Sequence, residues 1–286
     1  MPAMIGIIST EHYQGFFAER YFREIVTVAS ELVAPHAHQL QIMPPLPTPS
    51  DPLTIATQLL AQGLNAALIV APDAALLELL AQVLPTLPSI ILSAPRLDLP
   101  FSYVNSDNYG ALRQIVGHLA GLGRQRIRLL LPEAPSGDYL ERERGYEDMM
   151  RALGLEPSVR SISYPIDEMV IAQQVLVGAP DAVIAPDDQD ALVLLNRLQR
   201  GGVRVPEDLA VVGFDDEDFA ADTVPALTTV SQPLGEMARR ATTYLIDRLA
   251  GVDRDVYQEV LPNRLIVRES CGFGMRYARR DHGAGK

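Results

Sequence analysis

Cysteine and lysine are nearly missing from this chain. Of its 286 residues only Cys271 is a cysteine, and the terminal Lys286 is the one lysine among 24 cationic residues. A single thiol cannot close an internal disulfide and is a poor start for a cysteine-based zinc site, which fits a reducing cytoplasm. Cations are also outnumbered. Asp and Glu total 36, the formal net charge is −12 and the pI is near 4.8. Such a surface does not coat nucleic acid or anionic membranes. Long apolar runs are absent too. The run that starts at Met4 ends at Glu11, short of a secretory signal. Residues 52–72 are uncharged and about long enough to span a bilayer. They nevertheless hold Gln58, Gln62, Gly63 and Asn65 and divide into two shorter elements. No membrane contact is expected.

Enzyme signatures are scarce as well. There is no phosphate-binding P-loop, no G-x-S-x-G elbow, and the glycines from Gly110 to Gly121 do not follow a strand with dinucleotide-binding spacing. His36 and His38 lie two apart at a helix end and share no face. Asp187-Asp188 and Asp215-Asp216 could hold a divalent ion or act as an acid/base pair, but neither has a nucleophile or a basic phosphate clamp beside it. The expectation is a binding protein without catalytic residues, metal or cofactor; an α/β enzyme using Asp215 and Asp187 is the weaker alternative.

What is present is enough apolar residue to fill a core, 48% against 21% charged, over a length suited to two domains or one bilobed one. Short apolar runs alternate with helix-length amphipathic segments. Strands are expected at 5–9, 39–43, 66–71, 89–93 and 127–131, and helices at 16–34, 74–83, 108–122 and 141–153. Asp51-Pro52 opens a further helix that stops at Gly63. This alternation implies parallel sheets covered on both faces. The proline-rich stretch 44–49 is a stiff surface loop, and 276–286 is a frayed tail rather than a nucleic-acid arm. One pattern occurs twice: Asn65 to Asp73 and Pro180 to Asp187 each run as an apolar strand, then Ala-Pro-Asp, then a helix. Two similarly built halves with a cleft between them would account for it.

Ligands of parallel α/β sheets collect beyond the carboxyl ends of the strands. That rule selects Thr10 to Phe17, Pro132 to Arg142, Pro186 to Gln189 and Phe214 to Asp216. These loops offer aromatic faces, arginine forks and carboxylates, the groups that hold vicinal hydroxyls or heterocycle edges. Each residue also has a structural reading. Phe16 or Phe17 would serve equally as core, Arg142 and Arg144 could pair with Glu141 and Glu143, and Asp187 or Asp188 could simply cap a helix.

The stretch from Asp188 onward carries a resemblance. It contains Gly202 to Asp208 as G-x-x-V-P-x-D, Gly213-Phe214-Asp215-Asp216, Pro225 to Pro233 as P-x-L-T-T-V-x-Q-P, and Val267-Arg268-Glu269-Ser270. Arg142-Glu143-Arg144-Gly145-Tyr146 adds an R-x-x-G-Y. In this order the motifs resemble the effector-binding core of the LacI/GalR family of transcription regulators, whose fold is like that of the periplasmic sugar-binding proteins.

The resemblance implies two lobes, each a parallel sheet flanked by helices, joined by three crossovers around a ligand cleft. The first lobe would comprise 1–125 plus 232–257, and the second 126–231 plus 258–275. It also implies ligand-binding roles for Phe16, Phe17, Arg142, Asp187 and Asp215, with Asp107 and Tyr164 as lesser candidates. Asp187 replaces a commoner Asn, which would favour hydroxyl or amine donors over anionic ligands. The implied function is sensing of a small polar effector, a sugar or a nucleoside-like compound, by a homodimer. Family members touch operator DNA through a helix-turn-helix head ahead of the first strand, and only four residues precede Ile5 here. DNA contact is therefore expected outside this chain. A transport receptor of the same fold is the alternative, with no secretion signal in its favour.

Overall fold

The computed structural model describes residues 2–9, 20–43, 62–72, 76–78, 87–94, 100–133, 137–252 and 255–274. Strands β1 (Met4–Ile8), β2 (Gln39–Ile42), β3 (Ala66–Val70), β4 (Ser89–Leu92) and β5 (Tyr103–Ser106) pair in parallel in the order β2-β1-β3-β4-β5. Every residue of β3 is buried, as befits a β-branched and aliphatic strand covered on both faces. A second sheet contains β6 (Ile127–Pro132), β7 (Ser158–Ile162), β8 (Ala182–Ile184) and β9 (Ala210–Val212), all parallel, in the order β7-β6-β8-β9. The two sheets thus share one winding, and the twice-occurring strand pattern falls on the corresponding central strands β3 and β8. Both orders reverse beside the sheet's first strand, which is where such sheets open a crevice.

Helix α1 (Arg20–Val33) lays a stripe of Phe22, Ile25, Ala29 and Val33 on the first sheet. Helices α2 (Asn108–Gly121), α3 (Gly137–Ala152) and α4 (Asp188–Arg200) cover the second sheet. Helix α5 (Leu234–Leu249) returns to the first, where Leu234, Met237, Ala238, Ala241 and Leu245 join the core of α1. At Gly145 a Cβ would lie 2.2 Å from the carbonyl oxygen of Tyr109, so this glycine is what lets α3 meet α2 so closely. No helix among the described residues is long and apolar enough to cross a membrane.

Three crossings join the lobes: after β5, between β10 (Thr229–Ser231) and α5, and between β11 (Gln258–Leu261) and β12 (Arg264–Ile266). Two elements lie across the boundary expected for them. A boundary at 125 puts helix α2 in the first lobe. Its Leu112, Ile115, Val116 and Leu119 pack instead with Ile127, Leu129, Tyr146 and Met150 of the second. Strand β11, expected in the second lobe after 257, pairs in parallel with β5 of the first sheet, and β12 then pairs antiparallel with β10. An apolar stripe records that a face is buried, not which sheet buries it. Helix α3 also starts at Gly137, one turn before the expected 141. Residues 51–61 of the expected helix, the loop 44–49 and the tail 276–286 lie outside the described residues, while Gln62 and Gly63 form a turn.

Candidate functional site

The turn that follows β9 is built by residues far apart in sequence. A Cβ on Gly213 would lie 2.0 Å from Asp188 Oδ1, so glycine alone admits that carboxylate. Asp188, fully buried in the first turn of α4, accepts from Thr229 Oγ1 at 2.6 Å and from the Glu217 amide at 2.8 Å. Its own amide donates to the Phe214 carbonyl at 2.9 Å. These bonds hold Asp215 and Asp216 at φ of 103° and 52°, a region that residues other than glycine seldom enter. From outside, Arg268 donates to Asp216 Oδ1 at 2.7 Å and to the Leu227 carbonyl at 2.8 Å. Ser270 receives the Thr228 amide at 2.8 Å and donates to the Val211 carbonyl at 2.6 Å. The scattered motifs of 213–270 therefore interlock around one turn, and its product is the placement of Asp215.

Opposite that turn, Arg142 is buried on α3 with its guanidinium 3.5 Å from the Phe214 ring centre and 4.9 Å from that of Tyr139. Its Nε donates to Asn108 Oδ1 and its Nη1 to the Pro186 carbonyl, both at 2.9 Å. A planar, permanently charged fork suits such a slot, whereas a lysine would not fill it. Hydrogen bonds then link Arg142 to Asp215 around the back of the site. Asn108 Nδ2 donates to Ser106 Oγ at 3.4 Å, Ser106 Oγ to Gln232 Oε1 at 2.7 Å, and Gln232 Nε2 to Asp215 Oδ1 at 2.6 Å. Ser106 ends β5, where one crossing begins, and Gln232 lies on a second.

Between the lobes this arrangement encloses a cavity of about 220 Å³. The first lobe contributes Tyr21 and Ala71, the second Asp138, Tyr139, Arg142, Asp187, Asp188, Gln189, Asp215 and Glu217, and the crossing Gln232. Tyr21 and Ser93 hydroxyls pair at 2.6 Å. Along one rim the lobes are fastened together: Arg20 Nη1 donates to the carbonyls of Asp215, at 3.2 Å, and Asp216, and Arg23 pairs with Asp218 at 2.9 Å. Burial is the main influence on the carboxyls. It pushes Asp187 up to about 7, Asp188 to about 8 and Asp138 to about 6, and neighbouring carboxylates add to each shift. Asp215 is raised for the same reason, although Arg142, Gln232 and Arg20 pull it back.

Of the residues singled out from sequence, Arg142, Asp187 and Asp215 line this cavity together. Asp187 also caps α4, its Oδ1 accepting from the Asp190 amide at 2.8 Å; the two readings of that residue hold at once. Asp107 does not reach the cavity. It caps α2 through the Gly110 amide at 2.7 Å and faces a side cavity of about 170 Å³ with Tyr109, Glu141 and Arg144. Tyr164 is 56% exposed, donates to Asp190 Oδ2 and is not part of the cavity wall. Phe16 and Phe17 lie outside the described residues. Sequence reasoning missed Tyr21, Ala71, Glu217 and Gln232 as wall residues, and it selected the segment that holds Asp138 without singling that residue out. The early start of α3 is what turns Asp138 onto the wall, and Gln232 was legible only as part of a motif.

Over residues 116–271, more than half of the chain, the sequence matches the family model for the periplasmic binding protein-like domain. It is 38% identical over 175 residues to the HTH-type transcriptional regulator CelR of Thermobifida fusca, covering 59% of this chain and 52% of that protein. It is 31% identical over 195 residues to the HTH-type transcriptional repressor CytR of Escherichia coli K12, covering 64% and 56%. The chain thus spans about half the length of these curated relatives. A solved transcriptional regulator CelR–cellobiose complex superposes with a TM-score of 0.81 at 27% identity, covering 94% of this chain and 86% of that one. This chain belongs to the periplasmic binding protein-like family, and its two lobes are similar to the core of transcriptional regulators such as CelR.

Proposed function

We propose that the chain senses a small polar effector, a sugar or a nucleoside-like compound, on behalf of a transcription regulator. The observation that carries this is the hydrogen-bond path from Arg142 through Asn108, Ser106 and Gln232 to Asp215. Ligand-facing groups at both ends are tied to the crossings between the lobes, so occupancy of the cavity bears on how the lobes are set. Arginine and carboxylates engage vicinal hydroxyls in pairs, and the rings of Tyr21 and Tyr139 give the ligand apolar faces. The cellobiose held by the CelR structure supports a carbohydrate of this kind. Binding shifts a population of lobe arrangements instead of driving a reaction. No catalytic role is assigned to Asp187 or Asp215.

In the regulator as a whole, two copies pair, and their lobe setting governs the spacing of helix-turn-helix heads on operator DNA in the cytoplasm. The acidic core does not grip phosphates, since that affinity grows with Lys and Arg contacts. Calorimetry with cellobiose, ribose, cytidine and adenine tests the sensing role. At least one is expected to bind, with Arg142→Ala weakening it by about tenfold or more. Binding that ignores both Arg142→Ala and Asp215→Ala would overturn the site, and protein–DNA titration should show no operator affinity for this chain.

A further inference from the structure

We propose that the effector carries a protonated amine, and that Asp187, with Asp138 and Asp215, selects it. The inference rests on the effector-binding reading of the cavity and goes on to name the ligand's charge.

Among the described residues the cavity wall has five carboxylates, Asp138, Asp187, Asp188, Asp215 and Glu217, against the one guanidinium of Arg142. That cation is already partly engaged. Two of its nitrogens donate to Asn108 and the Pro186 carbonyl, and one face is covered by Phe214. Asp188 is committed as well, with both oxygens holding the turn after β9.

Three carboxylates keep acceptor capacity toward the cavity. Asp187 uses one oxygen on the Asp190 amide, Asp215 one on Gln232, and Asp138 a bond to Ser93. They approach from the start of α4, the turn after β9 and the start of α3. Helix N-termini oppose such charge by only about half a unit each, which leaves the wall negative. Burial pushes these carboxyls up, and Arg142 offsets only part of that push.

A neutral polyol would supply hydroxyl donors but leave the charges unmatched in a half-open cleft. An alkylammonium supplies three N–H donors and the missing positive charge in one group. It fits three separated acceptors that, among the described wall residues, share the single cation Arg142.

The test is calorimetry at about pH 7.5 with pairs that differ in hydroxyl against ammonium: glucose with glucosamine, and cellobiose with fully deacetylated chitobiose. In at least one pair the amino member should bind about tenfold tighter. Asp187→Asn should erase most of that preference, because asparagine still caps α4 while losing the charge; its thermal melt verifies the fold. Glu31→Gln, at an exposed position on α1, should leave the preference intact. Neutral sugars that bind as tightly as their amino partners would overturn this inference while leaving the sensing role standing. A preference that survives in Asp187→Asn would overturn the role of Asp187. If no sugar, amino sugar or nucleoside binds, the effector reading falls and this inference with it.

Discussion

Asp187 and Asp188 illustrate how single residues acquire properties that their identity does not supply. Each would release its proton near pH 4 in an unfolded chain, yet burial holds Asp187 to about 7 and Asp188 to about 8. Between those limits the folded chain binds more protons than the unfolded one. Their contribution is therefore full below about pH 4 and is lost as pH rises through 7 to 8. Thermal melts of the ligand-free chain should show Tm falling from about pH 5 to about pH 8.5, with a shallower fall in Asp187→Asn. A flat profile, or equal slopes in both proteins, would contradict the burial of these carboxyls. At the same scale, Arg142→Lys should lose binding nearly as fully as Arg142→Ala. An ammonium keeps the charge but cannot lie flat on Phe214 while reaching both Asn108 and Pro186.

Among the elements, the contact of α2 with α3 depends on the lack of a side chain at one position. Gly145→Ala would press a methyl group onto the Tyr109 carbonyl, and overpacking of this kind costs about 1–3 kcal/mol. Urea unfolding should show that loss, and Gly117→Ala, whose Cβ would approach only the end of Met149 at 3.3 Å, should cost less. Equal costs would place the tight contact elsewhere. Element identity was largely legible, since β3 and α1 follow directly from an aliphatic run and a helical stripe. Where elements start and which partner they choose was less so. Helix α3 gains a turn at its front, and that turn carries Asp138 to the cavity. Nothing in Pro135-Ser136-Gly137-Asp138 distinguishes a helix start from a loop without the sheet below it.

For the molecule as a whole, the rim contacts of Arg20 and Arg23 with the turn at 215–218 hold the lobes together. The exposed Arg23–Asp218 pair is worth about 0–1 kcal/mol, and the half-buried bonds from Arg20 to the carbonyls of Asp215 and Asp216 add to it, so this fastening biases closure. The double variant Arg20→Ala and Arg23→Ala should increase the radius of gyration of the ligand-free chain in small-angle scattering. It should also weaken effector binding a few-fold, because the ligand must then supply more of the closure free energy. An unchanged radius would show that the three crossings alone set the lobe angle.

The sequence by itself determined the α/β class, the twofold construction and the motifs that mark the family. All of these are local: periodicity, turn residues and short runs reflect the chain's immediate neighbours. Three of the wall residues, Arg142, Asp187 and Asp215, were legible in the same way, because strand ends are where a parallel sheet exposes its ligand groups. Tertiary structure alone decided that α2 covers the second sheet and β11 extends the first. It alone joined Gly213, Thr229, Arg268 and Ser270 around one turn. It also decided the charge of the cleft. Net charge of −12 is a sum over a surface, but carboxyls raised as far as Asp187 and Asp188 arise only when folding removes water and brings acids together.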